Sequence, residues 1–218
     1  SLSAWASTVF SANIGFYYES GYWDIASKLK PLLHLWSLGV EEQFYLVWPL
    51  ILWLAVRKRI SSWNACLVVI FLSLALNIYL TSKNQAAAFY LPFGRFWELA
   101  AGGILAVFQR QTASPQPRLV ASTGNCLAWG GVLLLVTVLR TPLDAKAFPG
   151  YYVVLVVLAA TLLIAAGPHA WVNRRVLSHP AMVYVGKISY PLYLWHWPLL
   201  VFARLMGDGQ WSQSHRNM

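Results

Sequence analysis

The stretch PLLHLWSLGVEEQFYLVWPLILWLAVRKR, Pro31 to Arg59, decides how this chain is read. It sets a histidine, a serine and two carboxylates at the mouth of an apolar helix that closes on three cations. Residues three and four apart are neighbours on a helix surface, so His34, Ser37 or Leu38, Glu41, Tyr45 and Trp48 share one face. That face is polar at one end and aromatic at the other. Beyond Gln43 the run from Phe44 to Val56 carries no charge, and Arg57, Lys58 and Arg59 then end it as a cytoplasmic stop would. The stretch predicts a membrane helix with chemistry at its rim.

Composition points the same way. Of 218 residues, 58% are hydrophobic and only 11% charged, with 12 Trp, and a soluble domain needs more charge than this to cover its surface. The fold class expected is therefore all-α, a polytopic transmembrane helix bundle of about six to seven spans, each near the length that crosses a bilayer. The formal net charge of +9 does not mark a nucleic-acid binder, because the cations fall between apolar segments and not in a basic, aromatic-interleaved patch. Cys66 and Cys126 lie inside apolar segments, where a thiol acts as a small buried hydrophobe sooner than as a disulfide half or a metal ligand.

Outward from the organising stretch, Leu2 to Tyr18 is weakly apolar and rich in Ser and Ala. Glu19 to Lys30 is an aromatic loop of balanced charge that suits a membrane surface, with Tyr22 and Trp23 at headgroup level. On the other side, Trp63 to Leu80 is a clear span, and Phe89 to Phe108 is another, interrupted by Arg95 and Glu98. Gln109 to Arg118 is a Pro-rich linker. Leu119 to Leu139 and Tyr151 to Ala166 are further spans, Pro168 to Pro180 is a basic loop, and Met182 to Leu205 is the last span before a polar tail. The chain opens on Ser1 in mid-pattern, with neither an initiator Met nor a signal sequence, as a fragment would. By the positive-inside rule Arg57 to Arg59, Arg110, Arg118, Arg174 and Arg175 are cytoplasmic, while Lys83 and the Arg140, Asp144, Lys146 loop are not. This puts His34, Glu41 and Glu42 toward the external face with Arg95 near them, and His196 midway or deeper along the last span.

Three groups of residues bear chemistry. His34, Glu41 and Glu42 sit at a membrane rim, where carboxylates are costly unless hydrated or paired; they are either functional or simply solvated at a helix start that favours acids. Arg95 and Glu98, in Gly94-Arg95-Phe96-Trp97-Glu98, are three apart on one face, and Ala100 to Gly103 lets a neighbouring helix approach. They form either a structural ion pair beside a packing notch or a bidentate anion site. In the run Ser189 to Pro198, two prolines seven apart imply a bent or broken helix. Ser189, Tyr193 and His196 share a face there, and His196 suits a general base or an interhelical hydrogen-bond partner.

Three runs, His34 to Leu50, Gly94 to Gly102 and Gly186 to Leu200, resemble in order and spacing the acyltransferase-3 family of membrane O-acyltransferases, which includes bacterial O-antigen and exopolysaccharide O-acetylases of lipopolysaccharide and surface glycans. The resemblance covers nearly the whole chain. It implies a multi-pass protein of the bacterial inner membrane that moves an acyl group, usually acetyl, from acyl-CoA to a hydroxyl of a cell-envelope glycan. The implied partners are acyl-CoA, a glycan or lipid-linked saccharide acceptor and membrane lipid, with neither nucleic acid nor a metal. Residues 1–205 would be the membrane acyltransferase domain and 206–218 the tail. Glu41 and Glu42 match the family's WSL-x-VE-x-QFY motif, Arg95 and Glu98 its G-R-x-x-E motif, and Ser189, Tyr190 and His196 its SY-x-x-YL-x-H-x-P motif. The expected roles are catalytic for Glu41 and His196 and substrate-binding for His34, Glu42, Arg95, Glu98, Ser189 and Tyr190. The family's first helix brings an Arg and a His that do not occur here, so the resemblance implies a fragment lacking the first helices. Two other readings fit the same side chains. One is a transporter or flippase for a lipid-linked glycan or small solute, and the other is an inactive truncated remnant.

Overall fold

The computed structural model describes residues 10–19, 30–111, 121–142 and 148–214. Every regular element among them is helical: α1 (Ala12–Glu19), a 3-10 turn (Leu33–Leu35), α2 (Trp36–Arg57), α3 (Ser62–Lys83), α4 (Gln85–Tyr90), a second 3-10 turn (Pro92–Gly94), α5 (Phe96–Gln111), α6 (Ala121–Arg140), α7 (Gly150–Ala165), a π-helical turn (Asn173–Leu177) and α8 (Pro180–Ser214). The all-α expectation holds. Among the described residues two helices, α3 and the Ser122–Arg140 part of α6, are long and apolar enough to cross a membrane. Helix α7 is as apolar but shorter, and α2 spends its first turns on Glu41, Glu42 and Gln43. The expected surface loop holding Tyr22 and Trp23, most of the Pro-rich linker, and Asp144 and Lys146 lie outside the described residues.

The sequence reading from Phe89 to Phe108 as one span is corrected: the chain breaks between α4 and α5. Pro92 forces Leu91 out of the helical region, to ψ 134°, because a proline ring crowds the residue before it. The break is held from α3. The Ser73 hydroxyl donates to the Phe93 carbonyl (2.6 Å) and accepts from the Trp97 amide (3.0 Å), so a side chain from another helix caps the start of α5. Asn84 caps α4 by accepting from the Ala87 amide at 3.0 Å, and Ser61 caps α3 by accepting from Asn64 at 3.2 Å.

Two apolar cores hold the helices. The first joins α2, α3 and α5 through buried Phe44, Phe96 and Ala100, with Trp48 stacked on Phe44 at 5.1 Å. The small-residue notch works at Ala100, which is fully buried, and at Gly103, where a Cβ would stand 3.1 Å from the Trp48 ring. The second joins α6, α7 and the segment after it through Ala128, Ala166, Ala170 and Val172. Here Gly131 brings two backbones together, since a Cβ on it would lie 2.9 Å from the Ala159 carbonyl oxygen. Gly131→Ala is therefore expected to destabilise by about 1–3 kcal/mol as the helices part. Gly102→Ala, with nothing within 4 Å of its Cβ, is expected to gain a fraction of the roughly 1 kcal/mol of helix preference. Thermal unfolding of the purified protein in detergent checks the pair.

Helix α1 is pinned across α2 by polar groups. Asn13, fully buried, donates to the Tyr90 carbonyl (3.1 Å) and pairs with Gln43, whose amide also donates to the Phe10 carbonyl at 2.7 Å. Gly39 makes the crossing possible, for a Cβ there would stand 2.8 Å from the Asn13 amide oxygen. Cys66 is buried as expected, but Cys126 is exposed on α6.

Of the two readings of the last span, bent or broken, the structure excludes the break. Helix α8 runs without interruption through Pro191 and Pro198, and it extends past Leu205 to Ser214. Each proline removes one amide hydrogen and so frees one carbonyl a turn earlier, Lys187 for Pro191 and Leu194 for Pro198. A long helix tolerates such losses where its packing holds the backbone in place.

Candidate active site

The site is built where α8 docks against the entry to α2. Trp197 Nε1 donates to the Lys30 carbonyl at 2.8 Å, and the Tyr193 hydroxyl donates to the His34 carbonyl while standing 2.6 Å from Ser37 Oγ. The 3-10 turn ahead of α2 thus presents His34 to α8. The imidazole of His34 packs edge-on against Tyr193 (5.2 Å between ring centres) and against His196 (5.6 Å).

The two histidines differ in environment. His34 retains 8% of its surface, and neither ring nitrogen reaches hydrogen-bonding geometry with any described residue. Burial first, and the neighbouring His196 second, hold its pKa below the usual imidazole value; the Leu194 and Pro31 carbonyls oppose this. His196 is exposed, and its Nδ1 lies 2.6 Å from the Tyr193 carbonyl and 3.2 Å from that of Leu192. A carbonyl only accepts, so Nδ1 carries a proton, and in the neutral ring the lone pair therefore sits on Nε2. The helix thereby fixes the tautomer that a base needs.

One turn along α2 from Ser37, on the same face, stands Glu41. These two residues, with Trp36, Val40, Arg95, Glu98 and Leu99, line an open cleft of about 190 Å³ between α2 and α5. Arg95 Nε and Nη2 meet the Glu98 carboxylate at 2.9 and 3.0 Å in a two-pronged pair, and Nη1 reaches the Phe89 carbonyl at 3.4 Å. The guanidinium lies over the rings of Trp36 (4.9 Å) and Phe89 (5.8 Å). The structure therefore brings the ion pair and the rim acid into one cleft, with Ser37 shared between the cleft and the histidine pair. Glu41 accepts from the Tyr45 hydroxyl at 2.8 Å.

Not all expected site residues gather here. Glu42 is half-buried beside Glu41 and does not line the cleft. The Ser189 hydroxyl is turned back onto the Gly186 carbonyl of its own helix (2.7 Å), and Tyr190 is 57% exposed. The residues absent from the expected site list are Ser37, Tyr193 and Trp36. Each stands one turn or less from a residue that was on it, which is the signal available in the sequence. That Ser37 meets Tyr193, 156 positions away, is a fact of packing alone.

The family model described as an acyltransferase domain, of the acyltransferase-3 type, matches residues 1–216. The chain belongs to the acyltransferase-3 family. Two relatives place it further. It is 28% identical over 215 residues to a Staphylococcus aureus (strain COL) protein named "Putative O-acetyltransferase SACOL0978", covering 89% of this chain and 35% of that protein. It is 28% identical over 205 residues to the O-acetyltransferase OatA of S. aureus (strain NCTC 8325 / PS 47), covering 86% of this chain and 34% of the relative. The chain thus spans about a third of the length of the relatives it matches. No solved structure matches it. In this acyltransferase-3 chain, the matched segment contains both halves of the site: the entry of α2 with the start of α5, and the middle of α8.

Removal of the Tyr193 hydroxyl tests how tightly the halves are joined. Tyr193→Phe takes one partner from Ser37 and one from the His34 carbonyl, and an expected loss of about 1 kcal/mol in stability follows. Denaturant titration of the detergent-solubilised protein reads it directly.

Proposed function

We propose that the protein is an integral membrane O-acyltransferase of the bacterial inner membrane, with six to seven spans in this segment, that moves an acetyl group from acyl-CoA to a hydroxyl of a cell-envelope glycan. The observation that carries the reading is His196, oriented through Nδ1 and joined by way of Tyr193 and Ser37 to a cleft of hydrogen-bonding side chains. Acyl transfer to a sugar hydroxyl needs a base for the hydroxyl proton and donors for the oxyanion of the tetrahedral intermediate. His196 Nε2 takes the proton as the sugar oxygen attacks the thioester carbonyl. The intermediate collapses by breaking the carbon–sulfur bond, and the departing thiolate recovers that proton from the imidazolium. Glu41 orients the acceptor from the cleft, and the Ser37 and Tyr193 hydroxyls stand between acceptor and base. The names of the staphylococcal relatives support O-acetylation, and the apolar helices support a membrane setting.

The test supplies labelled acetyl-CoA to membranes carrying the protein with its whole reading frame, in a host without the activity. Label in extracted glycan that disappears in Glu41→Gln, at equal membrane levels, supports the transferase. Glycan that crosses the membrane without gaining label would instead support a transporter, and neither outcome would leave an inactive remnant.

A further inference from the structure

We propose that the cleft between α2 and α5 is the acceptor subsite and that it selects uncharged or amine-bearing sugars while excluding anionic groups, the phosphates of acyl-CoA included. This rests on the transferase reading for its purpose, but the selectivity follows from the cleft's own charges. Two carboxylates and one guanidinium line it. The guanidinium is already committed: Glu98 takes two of its donors, Phe89 a third, and the Trp36 ring lies under its face. A phosphate or uronate binding there would have to displace Glu98, leaving a carboxylate unpaired in a half-buried wall. Two of the five guanidinium N–H groups remain, but the paired charge of Glu98 cancels the guanidinium, so Glu41 gives the cleft a net negative, acceptor character. Glu41 spends one oxygen on Tyr45, and its other lone pairs accept from hydroxyl or ammonium groups.

Size and shape agree with a sugar. A cleft of about 190 Å³ holds roughly six waters at about 30 Å³ each, the scale of one sugar ring and not of a nucleotide. Trp36 is no stacking platform, because Arg95 and the Phe89 ring, 4.3 Å away, pack against it. Recognition is by hydrogen bonds to Glu41 and Ser37, and Ser37 touches Tyr193. A ring seated against Glu41 therefore directs a hydroxyl past Ser37 toward the histidine pair.

The experiment measures binding of cellotriose, a glucosamine trimer and trigalacturonate to the full-length protein in nanodiscs, without acyl donor. The neutral and amino trimers are expected to bind at least about fivefold tighter than trigalacturonate, the scale of one unit-charge repulsion across a wet cleft. Glu41→Gln is expected to bring the three within about twofold while leaving acetyl-CoA binding unchanged. Leu99→Trp, which fills the cleft from an apolar wall, is expected to abolish binding of all three and guards against misreading a folding defect in the first variant. Tighter binding of trigalacturonate, a ratio that Glu41→Gln does not move, or weaker acetyl-CoA binding in Glu41→Gln overturns the proposal. So does transfer of label from acetyl-CoA to envelope glycan with no trimer bound, an outcome that leaves the transferase reading intact. Selective trimer binding without any transfer would sink that reading and keep the subsite.

Discussion

His196→Ala is expected to lower acyl transfer by about 10²–10⁴-fold, the range that a positioned general base contributes, with little change in the folded population. The second half of that expectation follows from exposure. The His196 ring is exposed, and among the described residues its Nδ1 bonds to carbonyls of its own helix, so its loss opens no core cavity. The first half follows from the fixed tautomer, which leaves Nε2 as the basic nitrogen. Two further variants separate the base from its surroundings. His196→Asn keeps a donor for the Tyr193 carbonyl but no base, and is expected to be as inactive as Ala. Added imidazole is expected to restore part of the activity of the Ala variant, a rescue that lost packing would not permit. An alanine variant that retains wild-type kcat would remove His196 from the chemistry and direct attention to His34, neither of whose ring nitrogens has a partner among the described residues.

The helical class and the positions of most helices were legible because apolar length and charge interruption are local properties of the chain. Ser62–Lys83, Ala121–Arg140 and Gly150–Ala165 fall within a few residues of the spans read from sequence. The break at Pro92 was missed for a physical reason: apolar content runs unbroken across it, and only Ser73 on another helix makes it stable. The two prolines of α8 left a bend and a break equally open, and the helix does not break. Proline signals a lost hydrogen bond, whereas a break depends on whether the surrounding turns still hold the backbone, as they do across Pro191 and Pro198. At the site, spacing along one helix gave Ser37 with Glu41, Tyr193 with His196, and Arg95 with Glu98. Spacing could not give the meeting of these pairs, nor the commitment of Arg95 to Glu98 and Trp36. Ser189 and Tyr190 show the same limit, since their motif neighbours reach the site while the Ser189 hydroxyl turns back to its own backbone.

Arg95→Leu is expected to destabilise the protein by about 3 kcal/mol, at the low end of the cost of stranding one member of a buried ion pair. The side chains of Arg95 and Glu98 are 12% and 19% exposed, so solvent relieves part of the penalty but cannot replace a two-pronged contact. The guanidinium also leaves the Trp36 and Phe89 faces, which adds a loss of packing to the loss of charge. Glu98→Gln is expected to cost less, about 2 kcal/mol, because the amide still accepts one hydrogen bond from Arg95. The double change Arg95→Met with Glu98→Leu removes both charges and restores apolar bulk, and most of the stability is expected to return. Denaturant midpoints of the four proteins in one detergent measure all of this. Acyl transfer by the double variant then separates two roles for the pair. If stability returns but transfer does not, the pair shapes the polar wall against which the acceptor sits. If both return, Arg95 and Glu98 are scaffold for Trp36, and Glu41 with Ser37 suffices to hold the acceptor.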